Sequence, residues 1–202
     1  MKTVEFYFDF SSPYAYLGST QIEALAARKG ARVVYRPFLL GALFKAIGTP
    51  NVPLLAMPEA KQRLVRRDIF RWADFWGVPF RYATRFPMNT VKALRLVLAT
   101  PEPAVSALVQ ALYRAAWVED RDISSDEELV DIANAVGLPG SALVALTREE
   151  PLKRRLKEVT EEAERLGVCG APCFLVGDLL VWGQDRLAFV EKALDGWVPR
   201  ET

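Results

Sequence analysis

A chain of 202 residues with 51% hydrophobic and 25% charged side chains has the balance of a folded globular protein, long enough for one core with a lobe inserted into it. Its net charge of +1 gives no electrostatic basis for binding nucleic acid or an anionic membrane, and its apolar runs are too short to span a bilayer. The absence of histidine removes the Ser-His-Asp triad, the Cys-His pair and the common zinc sites.

The first element is an apolar, aromatic strand over residues 4–10. Ser11-Ser12-Pro13 follows it, and a helical pattern begins at once. Pro lacks an N–H and has a fixed φ, so Pro13 suits the first turn and Ser12 falls at the N-cap. There the Ser12 hydroxyl lies beside unpaired backbone N–H groups at the positive end of the helix dipole, a place that can hold an anion such as a thiolate. A plain helix cap fits the same residues. The helix runs over residues 13–28 and stops near Gly30, and a second strand is expected over residues 32–38.

A long helical stretch comes next. A short helix is expected over residues 39–48, then a loop, then amphipathic helices over residues 58–76 and 89–99. Val105, Leu108, Leu112 and Ala116 mark another apolar stripe. Ser125 and Glu128 have the spacing of a capping box, and Pro151 opens a helix closed by Gly167. Strands return over residues 174–176 and 179–182 around a Gly177-Asp178 turn, and a last helix begins near Asp185. The order is β-α-β, a helical insert, then β-β-α. Without the insert, this is the order of a thioredoxin-like fold. The expectation is therefore an α/β, thioredoxin-like fold with a large all-helical insertion, residues 1–40 and 168–202 forming the discontinuous parent domain and residues 41–167 the insertion.

In such a fold the N-terminus of the first helix faces the loop before the penultimate strand, so Ser12-Pro13 is expected opposite Gly170-Ala171-Pro172. A serine at that helix cannot form a disulfide, but its hydroxyl can donate to an external thiolate and keep it nucleophilic. Pro172 before a strand often has a cis bond in this fold and leaves the N–H and C=O of Ala171 for an extended ligand; an ordinary strand-entry proline reads the same. Trp182-Gly183-Gln184-Asp185 offers close backbone approach, helix N–H groups for a carboxylate and Asp185 for an ammonium, which together suit an α-amino acid head group; Asp185 as a helix cap is the plain alternative. Cys169 and Cys173 cannot close a zinc site by themselves and are expected as reduced thiols.

The segments Phe6-Tyr7-Phe8-Asp9-Phe10, Ser12-Pro13-Tyr14, Tyr16-Leu17, Arg36 to Gly41, Asp68 to Ala73, Gly77 to Phe80, Gly170-Ala171-Pro172 and Trp182 to Arg186 occur in this order over nearly the whole chain. Together they resemble the 2-hydroxychromene-2-carboxylate isomerases, relatives of kappa-class glutathione transferases and of the DsbA family. The resemblance implies a glutathione-dependent enzyme with Ser12 as the catalytic residue. It implies glutathione binding by Ser12, Lys61, Ala171, Pro172, Trp182, Gly183, Gln184 and Asp185. It points to Lys45 and Asn51 for the substrate, although the loop carrying Asn51 departs from the family's spacing; Arg85 and Asn89, from the group of Lys45, Lys61, Arg67 and Arg85 with Asn51 and Asn89 nearby in sequence, are the other candidates for substrate binding, and solvated surface is the plain alternative for such cations. The implied reaction is the interconversion of 2-hydroxychromene-2-carboxylate and trans-o-hydroxybenzylidenepyruvate, or of a related enone, by transient thiolate addition. A kappa-type transferase or peroxidase, and a non-catalytic DsbA-like binding protein, share the same motifs. No metal is implied. A cytoplasmic homodimer is expected, with Trp72 and Trp76 as exposed aromatics for the interface.

Overall fold

A computed structural model describes residues 1–200. Its sheet has four strands in the order β2-β1-β3-β4: β1 is Lys2–Phe8, β2 Ala31–Pro37, β3 Cys173–Val176 and β4 Leu179–Trp182. β1 and β2 are parallel, joined through helix α1 (Pro13–Arg28), while β3 runs antiparallel to both β1 and β4. Between β2 and β3 lie α2 (Leu40–Ala46), α3 (Pro53–Ala56), α4 (Glu59–Trp76), α5 (Val91–Ala99), α6 (Glu102–Trp117), α7 (Asp126–Ala135), α8 (Gly140–Leu146) and α9 (Glu150–Arg165). A 3-10 turn, Gln184–Arg186, leads into α10 (Leu187–Leu194). This is the DsbA-like thioredoxin fold.

The period-2 alternation of β1 decides what packs on each side of the sheet. Phe6 and Phe8 join Leu17 and Ile22 of α1 and Tyr113 and Trp117 of α6 in one core. Tyr7 points the other way, with Leu43 of α2, Val159 and Ala163 of α9, and Cys173. Phe6 stacks on Phe174 across the β1–β3 pair, at 5.3 Å between ring centres. Because residues of α5 to α8 belong to the same cluster as Phe6 and Phe8, the helices after β2 share the core of the sheet rather than form one of their own.

Four local expectations need correction. Helix α8 has no counterpart in the sequence reading; its seven residues are too few for a periodic stripe. Ser125 is the N-cap of α7, yet its side chain makes no capping bond, so the capping box is not formed. The last helix begins at Leu187, and Asp185 lies in the 3-10 turn without capping it. Trp72 and Trp76 are half-buried and packed against the main core; the exposed aromatics of α4 are Phe70 and Phe75, at 50% and 69%. The indoles face inward because α4 turns that stripe toward α1 and the 3-10 turn.

Candidate functional site

The end of β1 turns sharply into α1, and a buried carboxylate holds the turn. Asp9, 1% exposed, accepts from the Ser11 N–H and the Leu40 N–H, each at 2.9 Å. Its own carbonyl accepts from Ser12 N–H at 3.1 Å and from the Tyr113 hydroxyl at 3.3 Å, and Trp117 Nε1 donates to Phe10 O at 2.8 Å. Burial pushes the Asp9 carboxyl up from the ordinary carboxylate range, against the pull of these hydrogen bonds. The sequence reading assigned Asp9 no role. An Asp between aromatics at a strand end was the available signal, because such a residue is rarely buried without a set of donors to meet.

Ser12 is the N-cap of α1, with Pro13 following it in the first turn. Its Oγ accepts from the Ala15 N–H at 3.2 Å and donates to Ala171 O at 2.7 Å. The Ala171–Pro172 bond is cis. One lone pair of the Ala171 carbonyl is thus engaged by Ser12 rather than left for a ligand, while the Ala171 N–H has no partner among the described residues. Pro172 O accepts from the Gly183 N–H at 3.0 Å and ties this loop to the end of β4.

A cavity of about 630 Å³ opens above these groups. Its floor is Ser11 to Tyr14 and Cys169 to Pro172, and Trp182 to Arg186 form one side. The other sides come from the helices after β2: Leu40, Phe44 and Ile47 around α2, Asn51 and Val52 in the following loop, Pro53 and Leu54 at the start of α3, Val65, Asp68, Ile69 and Trp72 on α4, and Tyr82, Phe86 and Pro87 before α5. Phe86–Pro87 is also cis. Asp120, at φ 58, holds this last segment by accepting from Thr84 N–H at 2.8 Å and from Arg85 Nη1 through its carbonyl at 2.9 Å.

Gln184 and Tyr14 are among the polar side chains of the cavity with unused hydrogen-bonding capacity. Gln184 is 1% exposed; its Oε1 accepts from Trp76 Nε1 at 2.6 Å, and its Nε2 donates to nothing among the described residues. Tyr14, half-buried in the first turn of α1, has its phenol pushed up to about 12 by burial and then by the charges of Asp68, Tyr82 and Asp185, so it remains a protonated donor at neutral pH. Two glycines let the backbone close in. A Cβ on Gly170 would stand 2.9 Å from Trp182 Nε1, and Gly183 has φ 101, where a Cβ would also collide with the Asp185 carboxylate. Cys173 is buried, with its thiol pushed up to about 12 by burial and by Cys169, and Sγ donates to Gly170 O at 3.3 Å. Cys169 is exposed and free.

Of the residues singled out by sequence, Ser12, Asn51, Ala171, Pro172, Trp182, Gly183, Gln184 and Asp185 line the cavity. The cavity lining does not include Lys45, Lys61, Arg85 or Asn89. Phe44 and Ile47, three apart, put one face of α2 on the cavity, and Lys45 between them is exposed. Lys61 is one turn before Val65 on the same face of α4, exposed beyond the cavity's edge. Arg85 is taken up by Asp120 O and by Asp122, at 3.7 Å. Asn89 accepts from the Val91 N–H at 3.3 Å and so serves the start of α5. Asp9, Tyr14, Asp68 and Trp76 are the groups that sequence reasoning left out.

The DSBA-like thioredoxin domain family matches residues 3–195. A 2-hydroxychromene-2-carboxylate isomerase of Sphingobium xenophagum is 32% identical over 193 residues, covering 96% of this chain and 98% of that protein. Glutathione S-transferase kappa 1 of Caenorhabditis elegans is 28% identical over 209 residues, covering 96% and 91%. Among solved structures, a 2-hydroxychromene-2-carboxylate isomerase superposes with a TM-score of 0.85 at 27% identity, over 96% of this chain and 95% of that one.

Proposed function

Since the chain belongs to the DSBA-like thioredoxin family, and within it to the 2-hydroxychromene-2-carboxylate isomerases, we propose that it is a glutathione-dependent isomerase of an aryl-conjugated enone. The observation that carries this reading is the Ser12 hydroxyl at the N-terminus of α1, on the floor of a cavity large enough for a tripeptide thiol and a small aromatic molecule. The reference reaction is the interconversion of 2-hydroxychromene-2-carboxylate and trans-o-hydroxybenzylidenepyruvate.

The residues present fit glutathione. The free Ala171 N–H can pair with the backbone of an extended peptide, as in strand addition. The unpartnered Gln184 Nε2, the Asp185 carboxylate and the close backbone at Gly183 suit the γ-glutamyl end, with Trp182 beside them. Lys61, exposed one turn before Val65 and beyond the cavity's edge, would meet a carboxylate extending out of the cavity. When bound, glutathione supplies a thiolate that adds transiently to the conjugated double bond and so permits its rotation.

The chain's own part is electrostatic. Ser12 turns its hydroxyl proton from Ala171 O toward the sulfur, and the N–H groups of the first turn of α1 add the helix dipole, so the thiolate is favoured over the thiol. Asp9 keeps Ser12 at that place by bonding both Ser11 and Leu40. The apolar walls exclude water and raise the value of each of these contacts. Asn51 lines the cavity and would meet the substrate, while Lys45, Arg85 and Asn89 would act there only by moving from where they lie.

The same reading assigns residues 1–40 and 168–202 to the parent domain and 41–167 to the insertion. It makes the protein a cytoplasmic homodimer, for which exposed Phe70 and Phe75 offer an apolar face that size-exclusion chromatography of a Phe75→Asp variant tests. Calorimetric titration with glutathione tests the central claim. Saturable binding that weakens in a Gln184→Leu variant is expected, and no binding to the wild type refutes it.

A further inference from the structure

The two cysteines take no part in the proposed isomerisation, and the fold gives them opposite surroundings. Cys173 is buried in one cluster with Tyr7, Leu43 and Val168, its thiol pushed up to about 12 and donating to Gly170 O at 3.3 Å. Cys169 is exposed and free, and it is among the residues that line the cavity. Thiol chemistry needs access, which is open at one cysteine and closed at the other. Cys169 begins a loop that is pinned to the wall carrying Gln184. Pro172 O accepts from the Gly183 N–H at 3.0 Å, and Gly170 passes so close to Trp182 that a Cβ there would stand 2.9 Å from Nε1. Gln184, 1% exposed, lines the same cavity, and its Nε2 donates to nothing among the described residues. Two positions after Cys169, the Ala171 N–H is also without a partner among them. A thiol, a buried amide donor and a backbone donor thus border one cavity, and a peptide that carries a disulfide can engage all three.

We infer that Cys169 is a site of covalent modification by glutathione disulfide, which leaves one glutathionyl group tethered in the cavity. This goes beyond isomerisation and rests on the reading of the cavity as a glutathione site. In the exchange, Cys169 gives up its proton and its sulfur bonds to one sulfur of the disulfide. The S–S bond breaks, and the second glutathione leaves as a thiolate, which takes up a proton at neutral pH. Binding of one half of the disulfide in the cavity raises the effective concentration of its sulfur at Cys169. Cys173 stays reduced, because burial denies it both access and thiolate. The tethered group fills the space that free glutathione needs, and its sulfur, held in a disulfide, has no thiolate to offer. Modification therefore switches the site off, and a reductant restores it.

The experiment treats the reduced protein with glutathione disulfide and, separately, with hydroxyethyl disulfide, which has the same bond and no peptide. Intact mass and peptide mapping follow the reaction. Each rate constant is divided by that of the same disulfide with N-acetylcysteine, which cancels the difference in intrinsic reactivity. One glutathionyl group per chain is expected, on Cys169, removable by dithiothreitol. Its rate should saturate with glutathione disulfide and, after that correction, exceed the hydroxyethyl rate about tenfold. Modification of Cys173, an internal Cys169–Cys173 disulfide as the end product, or a rate no faster than with hydroxyethyl disulfide overturns the inference. Gln184→Leu should slow the glutathione reaction about fivefold and leave the hydroxyethyl one unchanged; an unchanged ratio of the two overturns the placement of the group in the cavity. The modified protein should lose the calorimetric signal of reduced glutathione, and retention of that signal overturns the inference. If reduced glutathione binds and Cys169 stays unlabelled, this inference falls and the isomerase reading stands. If Cys169 is labelled with saturation while no enone is turned over, the isomerase reading falls and the modification site stands.

Discussion

Replacing Ser12 with alanine removes one oxygen with two bonds in the free protein, whose single proton would move from Ala171 O to the thiolate in the proposed complex. Loss of the cap on Ala15 N–H, at 3.2 Å, costs about 1 kcal/mol, and leaving Ala171 O without its donor at 2.7 Å costs about 1 kcal/mol more. The folded protein should therefore lose about 2 kcal/mol in urea unfolding, well short of collapse. The bond to sulfur is charge-assisted and contributes about 1.5–3 kcal/mol to a bound thiolate. At 1.36 kcal/mol per unit, its loss raises the pKa of bound glutathione by about one to two units. Thiolate absorbance, titrated with the protein in excess, reads that shift directly. Turnover below the wild-type thiol pKa should fall by about 10- to 150-fold and recover in part as pH rises, and Ser12→Thr should restore most of both. A bound thiol that titrates identically in wild type and Ser12→Ala would refute the argument, whatever happens to turnover.

Trp76→Phe should cost about 1–3 kcal/mol in urea unfolding, since it strips the buried Gln184 amide of its acceptor-side bond at 2.6 Å; an unchanged midpoint would show that water replaces the indole. Gly183→Ala, at φ 101, should cost about 1–3 kcal/mol in the same assay and weaken glutathione in calorimetry by displacing Asp185. Asp9 has a carboxyl pKa raised above its unfolded value of 3.8, so the folded state holds the proton more tightly than the unfolded one. Its contribution to stability is full below about pH 4 and declines as pH rises toward the folded pKa. The difference in unfolding free energy between wild type and Asp9→Asn should fall with pH across that window, and a difference that is flat or rises would contradict the raised pKa.

The sheet and its flanking helices were legible because their signals are local. Phe and Tyr alternation marked β1, Pro13 and Gly30 bracketed α1, and Gly177-Asp178 marked the β3–β4 turn. Ser12, Ala171 and Gln184 were legible for the same reason, since each sits at the end of an element that the pattern defines. The cations were not. Lys45 and Arg85 are close in sequence to cavity residues, but one helical step or one ion pair with Asp122 turns them away, and neither effect has a signature in a single sequence. Asp9 and Trp76 escaped because their partners, Leu40 and Gln184, come from other parts of the chain.

Ser12 and Ala171 are separated by 159 positions, and so the two halves of the site are made at different times. At roughly 10 residues per second, on the order of 15 s of synthesis separates them. In that interval β1 can pair with β2, and the helices that follow form in microseconds. The other edge of β1, with its phenylalanines, waits for β3. A chain stopped between residues 88 and 168 therefore carries Ser12 and the apolar wall up to Pro87 but only half of the floor that would hold a thiol peptide. Ligand binding thus reports completion of the polypeptide itself, and the open strand edge is the part of the nascent protein most in need of protection from its neighbours.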